Sequence, residues 1–148
     1  MRLHTKAVLV LLALMLPAAA WALDFRSVSV PRAILFDAPS AQSKKLYVVS
    51  QQYPLEVIVN LGDWIKVRDM RGELAWIEAR LLSNKRSVLV VVPQVEVREA
   101  ADESSRLIFR VEKDVALELL DAGSNGWAKV RHRDGLVGYV QISKVWGL

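Results

Sequence analysis

The strongest constraint on this chain is that it is written twice. Trp64-Ile65-Lys66-Val67-Arg68 lies over Trp127-Ala128-Lys129-Val130-Arg131 at an offset of 63, and Gly72, Trp76 and Ile77 meet Gly135, Tyr139 and Val140 at the same spacing. Upstream the offset slips: Leu55-Glu56 matches Leu117-Glu118 at 62, Lys45-Leu46 matches Arg106-Leu107 at 61, and Arg26-Ser27-Val28 matches Arg86-Ser87-Val88 at 60. One-residue slips are what unequal loop lengths leave between two copies of one fold. Each unit of about 60 residues must build its own core. The short polar joint Ser83-Asn84-Lys85-Arg86 leaves the units packed together or restricted in arrangement.

Within each unit the texture is β. Leu46–Val49, Leu55–Val59, Val88–Val92 and Val115–Leu120 are short apolar or alternating runs, broken by polar, Gly-containing segments such as Asp121 to Gly126. Val115–Leu120 also suits a helical turn, but its copy Leu55–Val59 is β-branched, and the copy decides. Several short strands per unit with no long helical period predict a small barrel or sandwich.

The N-terminus reads as an export signal. Arg2, His4 and Lys6 precede an apolar run from Ala7 to Pro17, and Ala20 and Ala22 satisfy a small-x-small cleavage rule. Cleavage after Ala22 is expected, with Ala20 as the alternative and a retained anchor as a further one. The organisation expected is a signal peptide at 1–22, one domain at 23–85 and a second at 86–148, in the periplasm, touching the membrane only during export. The apolar run is short of the roughly 20 residues of a comfortable span.

Losing Arg2 and Lys6 leaves 18 of the 20 basic residues against 16 acidic ones, a formal charge of +2. Neither that balance nor any dense basic stripe favours nucleic acid. With no cysteine, disulfides and thiol chemistry are excluded, and stability must come from apolar burial.

In a strand, alternate side chains share a face. Trp64, Lys66 and Arg68 therefore stand opposite Ile65 and Val67, and Trp127, Lys129 and Arg131 opposite Ala128 and Val130. The cationic face is the wet one, and a tryptophan there is either flattened under Lys and Arg stems or a stacking platform for a sugar or peptide. Asp134-Gly135 suits a tight hairpin turn. Arg71-Gly72 makes the matching turn without that Asp, and Tyr139 lies on the returning strand. Trp76 and Trp146 read as packing residues, and Tyr47 and Tyr53 as weaker groove candidates.

Gly-Trp-Ala-Lys-Val-Arg (126–131), then Asp134-Gly135, then Gly138-Tyr139-Val140 resembles the core signature of bacterial Src-homology-3-like (SH3-like) domains. Val97-Arg98-Glu99-Ala100 is similar to their opening segment, with Leu35-Phe36-Asp37-Ala38-Pro39 as its counterpart in the first unit, where Ala75 replaces the glycine before the aromatic. The resemblance implies an all-β chain of two tandem, small, partly open SH3-like β-barrels of about five strands each. It also implies a binding module of the kind that contacts peptidoglycan or wall-associated proteins. Glu78, Leu81, Gln141 and Lys144 stand where proline-gripping relatives carry Pro and Tyr, so polyproline recognition is not expected.

Traces of catalysis are sparse. His132 is the one histidine after cleavage, too few for a multi-histidine zinc site and the sole support for any Ser-His-Asp arrangement. Asp102-Glu103 reads as a solvated loop rather than a glycosidase pair. A non-enzyme without metal or cofactor is expected. It would bind peptidoglycan through Trp64, Lys66, Arg68, Trp127, Lys129, Arg131 and Tyr139, two weak sites adding by avidity. The alternative is an adaptor for an envelope protein, docking through a strand edge or apolar patch; Val88–Val92 could serve, with burial between the two barrels the expected fate of that strand.

Overall fold

The computed structural model describes residues 22–123 and 125–148. Of the expected leader at 1–22, all but Ala22 lies outside the described residues.

The alternation seen in the sequence becomes two antiparallel sheets of seven strands. The first comprises β1 (Phe25–Val28), β2 (Arg32–Phe36), β3 (Lys45–Ser50), β4 (Pro54–Asn60), β5 (Trp64–Arg68), β6 (Leu74–Glu78) and β7 (Leu82–Ser83). The second repeats it as β8 (Ser87–Val90), β9 (Gln94–Arg98), β10 (Leu107–Glu112), β11 (Ala116–Asp121), β12 (Trp127–Arg131), β13 (Val137–Gln141) and β14 (Val145–Trp146). The strand orders β3-β2-β6-β5-β4-β1-β7 and β10-β9-β13-β12-β11-β8-β14 are the same order one copy apart. Single-turn 3₁₀ segments, Ala79–Leu81 and Ile142–Lys144, precede the last strand of each sheet. These are two tandem SH3-like barrels, left open where β3 and β10 have a neighbour on one side only. Register shifts in β4 at Val57/Val59 and in β11 at Leu119/Asp121 bend each sheet around its core, as a bulge does.

Each barrel has its own apolar interior. Val28, Leu55, Ile65, Val67 and Ile77 fill the first, and Val88, Leu117, Ala128, Val130 and Val140 the second, all at 0–1% exposure. Burying one such aliphatic side chain contributes about 1.5–3 kcal/mol. Ile65 and Val67 on β5, like Ala128 and Val130 on β12, are the inward half of the repeated motif.

The hairpins differ in their turns. Gly72 and Gly135 adopt φ of 83° and 93°, a region that glycine enters at little cost. Asp134 Oδ1 accepts the Leu136 amide at 3.1 Å. The first turn lacks an acid before its glycine, and the buried Asp69 replaces it, accepting the amides of Arg71 at 2.9 Å and Glu73 at 3.0 Å.

The barrels are clasped together. Phe25 and Trp146 meet edge-on with centroids 5.1 Å apart, and the Arg86 guanidinium lies 5.4 Å over the Phe25 ring while donating to Gly147 O at 2.8 Å. Ser87 Oγ donates to Gln52 O at 2.6 Å across the same junction. Strand β8 stops at Val90, short of Val92, and is hydrogen-bonded on both sides, to β11 and β14. The Val88–Val92 stretch therefore offers no free edge for a partner. Val88 and Val90 belong to the second core, and Leu89 is turned toward the first barrel at 2% exposure.

Candidate functional site

The hairpin register sets the outer face. Across β5 and β6, Trp64 pairs with Glu78, Lys66 with Trp76 and Arg68 with Leu74; across β12 and β13, Trp127 pairs with Gln141, Lys129 with Tyr139 and Arg131 with Val137. Each sequence-derived candidate thus stands on the wet side of its sheet, half-buried for Trp64, Lys66, Trp127, Lys129 and Tyr139 and exposed for Arg68 and Arg131.

Their surroundings divide them. Arg131 forms a two-pronged ion pair with Glu118, at 2.9–3.0 Å, and Arg68 reaches Glu56 at 3.3 Å. Glu56 and Glu118 are equivalent residues of the two copies, so both arginines already hold a carboxylate of their own chain. Lys66 Nζ lies 5.9 Å over the Trp76 ring, an intramolecular cation–π contact. Among the described residues, Lys129 and Lys144 have no acidic partner within 4.0 Å.

The two tryptophans are not equivalent either. Phe36 at the end of β2 packs edge-on against Trp64, with centroids 5.5 Å apart and planes at 84°. Phe36 pairs with Trp76 in the first sheet as Arg98 pairs with Tyr139 in the second, so Arg98 stands where Phe36 stood. That exchange replaces an aromatic lid with a charged wall.

Trp127 accordingly lies between two clefts. One, of about 310 Å³, is walled by Glu96, Arg98, Glu103, Gln141 and Lys144. The other, of about 160 Å³, holds Lys129, Tyr139, Asp121 and Asn125. The walls of the first are fixed in place. Glu96 is bonded to Arg98 and to Arg110, the latter at 3.1 Å. Arg98 Nη1 donates to Ser105 O at 2.8 Å, and Gln141 Nε2 donates to Glu103 Oε1. The guanidinium of Arg110, and then that of Arg98, hold the Glu96 carboxyl below the usual carboxylate range. A stacking indole with ammonium groups of Lys129 and Lys144 to either side suits a polar ring or amide plane bearing carboxylates.

Glu96, Arg98, Glu103, Gln141 and Lys144 are the wall residues that sequence reading did not assign to a site. The exchange of Phe36 for Arg98 was visible once the opening segments were aligned. The pairing of Glu103 with Gln141, 38 residues apart, had no sequence signal. His132 sits on the hairpin with Nδ1 3.0 Å from Asp134 Oδ1 and its ring against Phe109. No group of three or more His, Cys, Asp or Glu among the described residues is placed to hold a metal.

Two segments, residues 29–84 and 91–147, match the model of the bacterial SH3 domain. No curated protein matches the chain. Among solved structures, the chain is similar to NlpC2 from Trichomonas vaginalis, at 14% identity and a TM-score of 0.40 over 86% of this chain and 49% of that one. It is also similar to an NlpC/P60 family protein from Bacillus cereus, at 16% and 0.38 over 82% and 55%. The chain spans about half the length of these proteins, and no functional weight rests on such distant likenesses.

Proposed function

The chain belongs to the bacterial SH3 domain family, and from that premise we propose that it is an exported, non-enzymatic tandem binding module for peptidoglycan in the periplasm, with the Trp127 cleft as its principal site. The observation that carries this reading is the placement of Trp127 between two clefts that carry charged side chains, whereas Trp64 packs edge-on against Phe36. In the proposed complex a sugar ring or peptide plane stacks on the Trp127 indole. Lys129 and Lys144 meet stem-peptide carboxylates, and Glu103 accepts from a hydroxyl, amide or amine. Arg68 and Arg131, each holding a glutamate, brace their hairpins. The Trp64 face adds a weaker second contact, so avidity remains part of the mechanism.

The test is co-sedimentation of residues 23–148 with purified sacculi at low and moderate salt. Trp127→Ala is expected to weaken retention at least about tenfold, as loss of a central aromatic anchor does, and Trp64→Ala to weaken it less. Undiminished retention by a folded Trp127→Ala variant would overturn the assignment.

A further inference from the structure

Two further concavities among the described residues lie between the barrels and use none of the Trp127 residues. One, of about 450 Å³, is lined by Tyr47, Val48, Tyr53, Met70 and Leu89, and another of about 270 Å³ shares Tyr53, Leu89 and Asp114 with it. Together they form one groove, of a size that ligand sites have.

Two features say what the groove is built to hold. The first is a bare strand edge. Tyr47, Val48 and Val49, all on β3, form one wall, and β3 is hydrogen-bonded to β2 alone. A free edge exposes unpaired main-chain groups, and proteins blunt such edges with charge. The second copy does so. Val97 pairs with Phe109 as Leu35 pairs with Tyr47, which puts Arg110 where the first copy has Val48. Arg110 is held across its sheet by Glu96 at 3.1 Å, whereas Val48 is an uncharged aliphatic at 64% exposure. One edge is gated and the other is bare.

The second feature is charge. Asp69 is consumed by its own turn and by Arg71, whose guanidinium lies 4.6 Å over the Tyr47 ring. Among the described residues, Lys113 and Arg133 on the far side have no acidic partner within 4.0 Å, and Asp114 is the one carboxylate there without a basic partner at that distance. Glu73 is likewise taken up by Tyr47 and Arg71, so the unpaired groups of the groove are two cations against one carboxylate.

We propose that the inter-barrel groove is a second, separate binding site that takes an extended acidic peptide, adding as a strand to the free edge of β3. The peptide main chain pairs with β3. One of its apolar side chains enters between Tyr47, Tyr53 and Leu89, and a neighbouring Asp or Glu meets Lys113 and Arg133. A concave groove excludes the edge of another whole barrel more readily than a single strand.

The experiment is selection of a phage-displayed library of random dodecapeptides on the full chain. The best binder is then synthesised and titrated by fluorescence anisotropy and by backbone amide NMR. The expected binder alternates apolar and acidic residues and slows hydrogen exchange of β3 amides. It binds Trp127→Ala unchanged and loses affinity at least about tenfold in Val48→Arg, a substitution that the second barrel already accommodates at Arg110. Lys113→Glu/Arg133→Glu provides the independent check, weakening the acidic peptide roughly tenfold, the upper range for two exposed ion pairs. Three results would overturn the proposal: binders that map to the Trp127 cleft, no binders at all, or a concentration-dependent dimer of the chain that Val48→Arg abolishes.

Discussion

Gly138→Ala is the perturbation whose consequence the structure determines most directly. Gly138 is buried on β13, and a Cβ placed there lies 2.5 Å from Val97 Cγ1, 2.7 Å from Arg98 O and 3.1 Å from Ile108 Cδ1. The Ile108 side chain can yield by a few tenths of an ångström, whereas Val97 is a fully buried β-branched side chain and the Arg98 carbonyl belongs to β9, held by β10 on one side and β13 on the other. Overpacking of this kind costs about 1–3 kcal/mol. Against it, alanine narrows the unfolded ensemble and returns about 0.4–1 kcal/mol. The net destabilisation is about 1–2 kcal/mol, and for two coupled barrels of about 126 residues together each kcal/mol moves Tm by about 4 °C. Thermal unfolding followed by far-ultraviolet circular dichroism, with urea titration beside it, measures the effect. Arg98 also walls the Trp127 cleft, so the variant should weaken wall binding at temperatures where it remains folded. The control is Ala75→Gly at the equivalent position of β6, where alanine is 3% exposed and its loss should cost about 1 kcal/mol. A Gly138→Ala protein as stable as the parent would refute the argument, because it would mean that β9 moves aside freely.

Other consequences can be checked as directly. Arg131→Gln removes an ion pair whose partners are 44% and 24% exposed, so urea unfolding should show a loss of no more than about 1 kcal/mol, with sacculus retention unchanged. Phe25→Ala removes the ring that Trp146 and Arg86 both contact, and calorimetry should then resolve two unfolding transitions in place of one coupled transition. Three carboxyls of the second barrel lie below their ordinary values: Glu96 through hydrogen bonds from Arg110 and Arg98, Asp102 through those from Ser104, and Asp134 through the Leu136 amide and then His132. Groups depressed by folding stabilise it fully above their unfolded values near pH 4, and the stabilisation disappears as pH falls through the lower native ones. Urea midpoints should therefore fall steeply below about pH 4 and be level between pH 5 and 7 from these groups, and Glu96→Gln should make the acid limb shallower; an unchanged limb would count against the assignment.

The architecture was legible because the repeat supplied its own control. Val115–Leu120 alone has a helical reading, and only the β-branched Leu55–Val59 at the same offset makes it the strand β11. The inward residues Ile65, Val67, Ala128 and Val130 follow from alternation, which a one-residue shift would invert. What alternation leaves undetermined is the neighbour across the sheet. That Arg131 meets Glu118 and Arg68 meets Glu56 depends on register between strands joined by loops, and the bulges in β11 and β4 shift that register. The position of a free strand edge was left open for the same reason. Val88–Val92 is apolar enough to suggest a docking surface, but an apolar strand sits equally well between two others, as β8 does between β11 and β14.

The features that two copies share are the ones the fold needs twice: the alternating core, the glycine turn and the arginine braced by a glutamate. A motif retained for folding is a poor guide to which copy binds what, and the repeated Trp-x-Lys-Val-Arg drew attention for a structural reason. The two functional proposals rest instead on places where equivalent positions part company. Phe36 against Arg98 separates a tryptophan packed on a ring from one that lines a charged cleft, and Val48 against Arg110 separates a bare strand edge from a gated one. Each exchange trades an apolar side chain for a charged one, at a buried position for Phe36 and at an exposed one for Val48, and changes what the neighbouring surface can bind. In a tandem chain of this kind, specificity is therefore to be sought where the copies disagree about charge.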